Sequence, residues 1–249
     1  MTTARPGGFR MQLSAPVYQL KRRAKAMSRQ LGVALNQTLD QLAREEGFKG
    51  WSHLAAALAD QSPARTLFER ARPGRLILLG ARPGHGKTLM ALELLAEAVN
   101  AGHQGVFFTL EYTQQQVEQQ LEAIGQSLAA LGERFVSDNS DNISADYIIS
   151  RLAETPAGTV VVVDYLQLLD QKRENPDLLN QVTALKAFAE AKELIIVFIS
   201  QVDRSFEAAD QRAATPGPAD VRLPNPIDLQ LFAATCFLHD GTVQINTTG

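Results

Sequence analysis

The segment LILLGARPGHGKTLMAL, from Leu76 to Leu92, constrains the fold of this chain more than any other stretch. An apolar run breaks into a glycine-rich loop, Ala81-Arg-Pro-Gly-His-Gly86-Lys87-Thr88, and resumes as a helical pattern. Strand, loop and helix in that order are the context of a nucleoside triphosphate-binding loop, here with Ala81 in place of the first glycine. The backbone N–H groups of such a loop turn inward and the following helix adds the positive end of its dipole, so both face phosphates.

The expected nucleotide-binding set is Ala81, Arg82, Pro83, Gly84, His85, Gly86, Lys87, Thr88 and Leu89. Lys87 reaches the β and γ phosphates and the Thr88 hydroxyl ligates Mg²⁺, which makes ATP and Mg²⁺ the expected cofactors. Gly86 is required because a side chain there blocks close approach of the backbone to phosphate. Asp164 ends the apolar run Val160 to Val163 and supplies the acidic group on the metal side. Glu111 ends GVFFTLE, read as a strand beside the first, where a carboxylate orients and deprotonates the attacking water. Gln201 ends ELIIVFISQ and places an amide near the same edge. Three adjacent strands then end in polar groups aimed at one crevice, which favours hydrolysis over nucleotide storage. The four histidines, His53, His85, His103 and His239, lack metal-ligand spacing, and His85 receives no catalytic role.

Around this loop, apolar runs alternate with helical stretches. RLILLG is followed by a helix from Thr88 to Asn100, GVFFTLE by one from Gln114 to Leu131, and TVVVVDYLQLL by one from Asp177 to Lys192; ELIIVFISQ and AATCFLHD complete the series. Runs apolar on both faces and separated by helices predict an α/β fold, a mostly parallel sheet covered by helices on both sides. A length of 249 residues suits one such core and a small satellite. Residues 1–13 are expected to be a flexible N-terminus, 14–60 a small helical domain, 61–74 a breaker-rich linker (QSPAR, then RPG) and 75–249 the nucleotide-binding domain.

In the small domain, a helix carrying Leu20, Ala24, Met27 and Leu31 should end at Gly32, a second with Leu35, Leu39 and Leu42 at Gly47, and a third should begin at Ser52. Phe48 and Trp51 are its expected core. KRRAK, Lys21 to Lys25, is a basic run that reads first as a solvated helix face and second as a contact for nucleic acid or an acidic partner.

A formal net charge of −3 and a pI near 5.8 exert no global pull on nucleic acid, so any polyanion must be held by local patches. The lone cysteine, Cys236, lies in an apolar run and fits a reducing, cytoplasmic setting. No apolar signal core opens the chain, and no window approaches the ~20 apolar residues that span a bilayer.

ARPGHGKT, FTLE, VVVDYLQLL and ISQVDRS, in this order and spacing, resemble the RecA-like motor domain of DnaB-type replicative helicases, with DYLQLL the most specific of the four. The resemblance covers roughly Arg70 to Asp240 and implies a RecA-like P-loop NTPase that drives translocation on single-stranded DNA as a homo-oligomer, a hexameric ring. It gives Lys87 to phosphate, Thr88 and Asp164 to Mg²⁺, Glu111 to the catalytic base and Gln201 to sensing of the γ-phosphate. It also places DNA-contacting loops after Leu169, with Lys172 and Arg173, and after Arg204, running through Arg204, Arg212 and Arg222. Lys and Arg on such loops neutralise phosphates without reading bases; taken without the resemblance, the residues read first as a solvated loop with ordinary charges. The chain departs from the family in its helical N-terminal unit and in its final segment, HDGTVQINTTG, which lacks the family's basic Lys-x-Arg element. Hydrolysis in isolation is therefore expected to be inefficient, since an arginine finger is worth ~10³ to 10⁵ in rate. The alternative expectation is a nucleotide-dependent adaptor with weak or no hydrolysis that binds a partner protein, the N-terminal unit being a candidate surface.

Overall fold

A computed structural model describes residues 14, 17–59, 62–170, 175–203, 216–222, 227–239 and 242–247. Its compact units are Met1–Ser62 and Pro63–Gly249. Among the described residues no helix is long and apolar enough to cross a membrane.

The first unit contains α1 (Val17–Leu31), α2 (Leu35–Glu45) and α3 (Trp51–Ala59). Leu20 and Ala24 of α1 and Leu42 and Ala43 of α2 are buried. The Thr38 hydroxyl, itself buried, donates to the Ala24 carbonyl at 3.0 Å and so satisfies a backbone acceptor between the helices. Gly47 adopts φ +87°, which ends α2, and Phe48, Ala43 and Leu54 then pack together with Trp51 against them. Asp40 Oδ1 accepts from the Trp51 N–H at 2.7 Å and caps α3 from a distance in sequence. Two expected inward residues turn outward: Leu31 is 62% and Leu35 42% exposed, because they sit at the α1–α2 turn where three short helices leave no partner surface.

The second unit begins earlier than the sequence suggests. Within the expected linker 61–74, Pro63–Arg70 forms a helix, α4, whose Ala64 and Leu67 are buried in the main core; Pro63 at the first turn starts the helix rather than breaking it. There follow β1 (Arg75–Ala81), α5 (Lys87–Asn100), β2 (Gly105–Thr109), α6 (Gln114–Ala123), α7 (Leu128–Leu131), β3 (Phe135–Asp138), α8 (Ala145–Arg151), β4 (Val160–Asp164), α9 (Leu178–Lys192), β5 (Ile195–Gln201), β6 (Ala234–His239) and β7 (Thr242–Thr247). The sheet order is β3-β2-β4-β5-β1-β6-β7, parallel except for the β6–β7 pair. This corrects one expectation: β2 does not neighbour β1, since β4 and β5 lie between them.

Parity explains why the strands read as unbroken apolar runs. Ile77, Leu79, Val160, Val162, Val197 and Ile199 face one core with α4, α5 and α6, while Leu76, Leu78, Val161, Val163, Ile196 and Phe198 face the other with α8 and α9. Both faces are dry, so alternation disappears. The helix expected over 114–131 stops at Ala123, where Gly125 takes φ +80° and its N–H and that of Gln126 return to the Glu122 and Leu121 carbonyls.

Candidate functional site

The C-terminal ends of the central strands carry the site. After β1 the chain turns through Gly84 and Gly86, at φ +80° and +82°, with the His85 N–H returning to the Arg82 carbonyl at 3.2 Å. No chain atom lies within 4 Å of a Cβ added at either glycine, so the chain's own demand for glycine there is left-handed backbone geometry. Gly86 is the N-cap of α5 and the first helical bond runs from the Met90 N–H to its carbonyl, which leaves the N–H groups of the first turn for a ligand. Lys87 and Thr88 are buried in that turn, Arg82, His85 and Leu89 are half-buried, and Pro83 and Gly84 are exposed.

Asp164 ends β4, fully buried, and its Oδ2 accepts from the Thr88 hydroxyl at 3.1 Å. Oδ1, equally buried, has no hydrogen-bond partner among the described residues. Burial is the main cause that pushes this carboxyl up from 3.8 to about 7; the negative charge of Glu111 adds to it, and Lys87 and the Thr88 hydrogen bond oppose it. A buried carboxylate oxygen without a partner, beside a hydroxyl and under the charge of a lysine, fits a cation at that place. Mg²⁺ suits it, because that ion is held by one or two carboxylates and completes its shell with water and phosphate oxygens.

Glu111 lies two residues past β2, exposed, on a bend held by its own N–H donating to the buried Thr109 hydroxyl at 3.1 Å. Thr109 is in register with Asp164, so Glu111 emerges beside the β4 end. Thr113 then starts α6 with a capping box to Gln116. On the other side, Gln201 is in register with Ala81, the first residue of the phosphate loop. β2, β4 and β5 are thus adjacent, as the three polar strand ends require.

Three side chains that sequence reasoning passed over hold this edge together. Gln167, in a 3₁₀ turn (Leu166–Asp170) after β4, donates to Ser200 Oγ at 3.3 Å and to the Arg222 carbonyl. The Arg222 N–H donates in turn to the Gln201 carbonyl at 2.7 Å, and Val202 bridges to Val221. Gln181 of α9, fully buried, donates to the Leu169 and Pro176 carbonyls at 2.6 and 2.7 Å and accepts from the Ala145 N–H at 3.0 Å. His239, at the end of β6, stacks on His85 with ring centroids 5.6 Å apart and ring planes 1° from parallel. None of these pairings has a local sequence signal. Of the residues assigned to DNA contacts, Arg222 is exposed on the segment just described, whereas Lys172, Arg173, Arg204 and Arg212 lie outside the described residues.

Residues 65–215 match the family described as the KaiC ATPase, well over half of the chain. The replicative DNA helicase DnaB of Mycoplasma pneumoniae is 24% identical over 76% of this chain and 49% of its own, so the chain spans about half the length of this curated relative. Among solved structures, a DnaB-like replicative helicase, solved with its interactions with primase, superposes with a TM-score of 0.58 at 18% identity, covering 92% of this chain and 74% of that one. A solved structure of an isolated ATPase domain gives 0.54 at 19% identity, covering 75% and 81%. At these identities the superpositions speak for the fold. The chain belongs to the KaiC family of ATPases, and its Pro63–Gly249 unit has a RecA-like ATPase fold similar to that of DnaB-like helicases.

Proposed function

We propose that this ATPase hydrolyses ATP with Mg²⁺ and couples the reaction to binding or translocation on single-stranded DNA. The observation that carries the reading is the Asp164 carboxylate: bonded to Thr88, unpartnered at Oδ1, and under the charges of Lys87 and Glu111. In this reading Lys87 and the loop N–H groups take the phosphates. Thr88 and Asp164 hold Mg²⁺, which supplies charge neutralisation between the phosphate oxygens. Glu111, exposed at the mouth, accepts the proton of the attacking water, and the Gln201 amide senses the γ-phosphate.

Support for the DNA half comes from where the loops leave. The segments after Leu169 and after Asp203 depart from the ends of β4 and β5, the strands that bear Asp164 and Gln201, and Gln167 ties the base of one to the return of the other through Arg222. A change at the γ-phosphate then has a short hydrogen-bonded route to loops carrying Lys172, Arg173, Arg204, Arg212 and Arg222. DnaB relatives add a prior in the same direction, and a ring of six subunits is the assembly this reading calls for. A second reading, a nucleotide-dependent adaptor for a partner protein, is favoured by the exposed Leu31, Val33 and Leu35 of the N-terminal unit.

The discriminating experiment is steady-state ATP hydrolysis with Mg²⁺, with and without single-stranded DNA, across protein concentrations. A rate that climbs with both supports the coupled motor and a site completed between subunits. Tight ATP binding with a negligible rate, indifferent to DNA and to protein concentration, overturns it in favour of the adaptor.

A further inference from the structure

The sheet edge opposite the phosphate loop holds a cavity of about 600 Å³. It lies where β1 and β6 begin and β7 ends, at Arg75, Ala234 and Thr247. Four cationic residues line it, Arg70, Arg72, Arg75 and Lys186, and no carboxylate residue does so among the described residues. Arg70, Arg75 and Lys186 have no ion-pair partner among the described residues. Arg72 spends Nη1 on the Glu69 and Ala71 carbonyls at the end of α4, at 3.0 and 3.2 Å, and keeps its other N–H groups. Glu190, one turn beyond Lys186 on α9, packs against Gly74 and is not among the lining residues.

The nature of the walls narrows the ligand. Arginine stays charged at any ordinary pH, so several like charges repel one another around one space and an anion entering it offsets that repulsion. Leu76, Ile77 and Leu231 give the cavity an apolar side, and Gln230 and Thr247 add amide and hydroxyl groups. Convergent cations, an apolar wall, a few neutral polar groups and a volume in the range of small-ligand pockets describe a receptor for a phosphorylated small molecule.

We propose that this cavity is a second phosphate site, which takes a nucleoside diphosphate or triphosphate, or inorganic pyrophosphate, with the phosphates on Arg70, Arg75 and Lys186. β1 links it to the catalytic edge directly: the strand starts at Arg75 and ends at Ala81, six steps or about 20 Å away. Occupancy of one edge can therefore bear on the other through a single rigid strand.

The test is equilibrium dialysis of the full chain against ADP, with circular dichroism on every variant. Two ADP per chain are expected for the wild type. Lys87→Ala should keep one, at the cationic cavity; Arg75→Gln/Lys186→Gln should also keep one, at the phosphate loop. Pyrophosphate that displaces the second ADP at equal affinity identifies phosphate alone as the ligand, whereas an ADP preference of about tenfold shows that the apolar wall holds a base. One ADP per chain in the wild type, lost entirely in Lys87→Ala, overturns the proposal, as does a second site that survives Arg75→Gln/Lys186→Gln. If that double variant loses its helical signal, Lys186→Gln alone should weaken the second site by about tenfold, and an unchanged constant overturns the proposal equally.

Discussion

The Thr88 hydroxyl donates to Asp164 Oδ2 at 3.1 Å across 76 positions of sequence, tying the first turn of α5 to the end of β4. The bond orients one carboxylate oxygen and leaves the other buried without a hydrogen-bond partner among the described residues. It is the point at which the nucleotide loop and the acidic strand end become one site.

Asp164 should make the ligand-free protein lose stability as pH rises. Its carboxyl is raised from 3.8 to about 7 by burial and by Glu111, so between those values the folded chain holds a proton that the unfolded chain has released. Stability therefore falls with rising pH through that window and levels off above it. Asp164→Asn removes the ionisable group: it should flatten this dependence, stabilise the ligand-free protein at about pH 8 by ~1 to 3 kcal/mol, and abolish Mg²⁺-dependent hydrolysis. Urea unfolding of both proteins at about pH 5 and pH 8 checks the sign; parallel behaviour would place the titration elsewhere.

Glu111→Gln separates binding from chemistry. The side chain is exposed, so folding and ATP affinity should change little, while hydrolysis should drop by ~10² to 10⁴ if the carboxylate is the general base. Single-turnover hydrolysis beside a nucleotide-binding titration reads the two quantities apart. Normal turnover in this variant removes Glu111 from the chemistry.

Gln181→Met keeps the volume of a fully buried side chain and deletes three hydrogen bonds. The Pro176 carbonyl and the Ala145 N–H lose this partner, and the Leu169 carbonyl keeps only the 3.3 Å bond from Asn175, which should cost about 2 to 4 kcal/mol. Denaturant midpoints measure the loss. Because the residue fixes both ends of the segment carrying Lys172 and Arg173, any DNA stimulation should fall more than ATP affinity does.

Gly80→Ala tests packing beneath the phosphate loop. A Cβ on this residue of β1 would stand 2.7 Å from Phe237 Cδ1, and Phe237 is fully buried on β6. Overpacking should cost roughly 1 to 3 kcal/mol, and Phe237→Leu in the same chain should recover part of it. A neutral single change would show that β6 yields at that position.

The phosphate loop, Asp164 and the apolar strands were legible because each has a local cause: left-handed glycines before a helix, and runs apolar on both faces. Gln201 was legible as a strand end, whereas Glu111, expected to end its strand, stands two residues past β2. β3 and β7 were not, since Phe135–Asp138 and Thr242–Thr247 are short edge strands with mixed polarity, although the Asp240-Gly241 pair was an available hairpin signal. The helix α4 was hidden because its breaker residue, Pro63, stands where a helix tolerates proline.

What the sequence determined by itself was thus the fold class, the nucleotide loop and the residues at the strand ends, all features set by neighbours a few positions apart. Tertiary structure alone decided the strand order that puts β4 between β2 and β5, the unpartnered Oδ1 of Asp164, the ties made by Gln167 and Gln181, and the gathering of Arg70, Arg72, Arg75 and Lys186 around one cavity. Each of these joins chain segments through burial and hydrogen bonding across the packed sheet, and no local pattern of residues records which partner a buried polar group will meet.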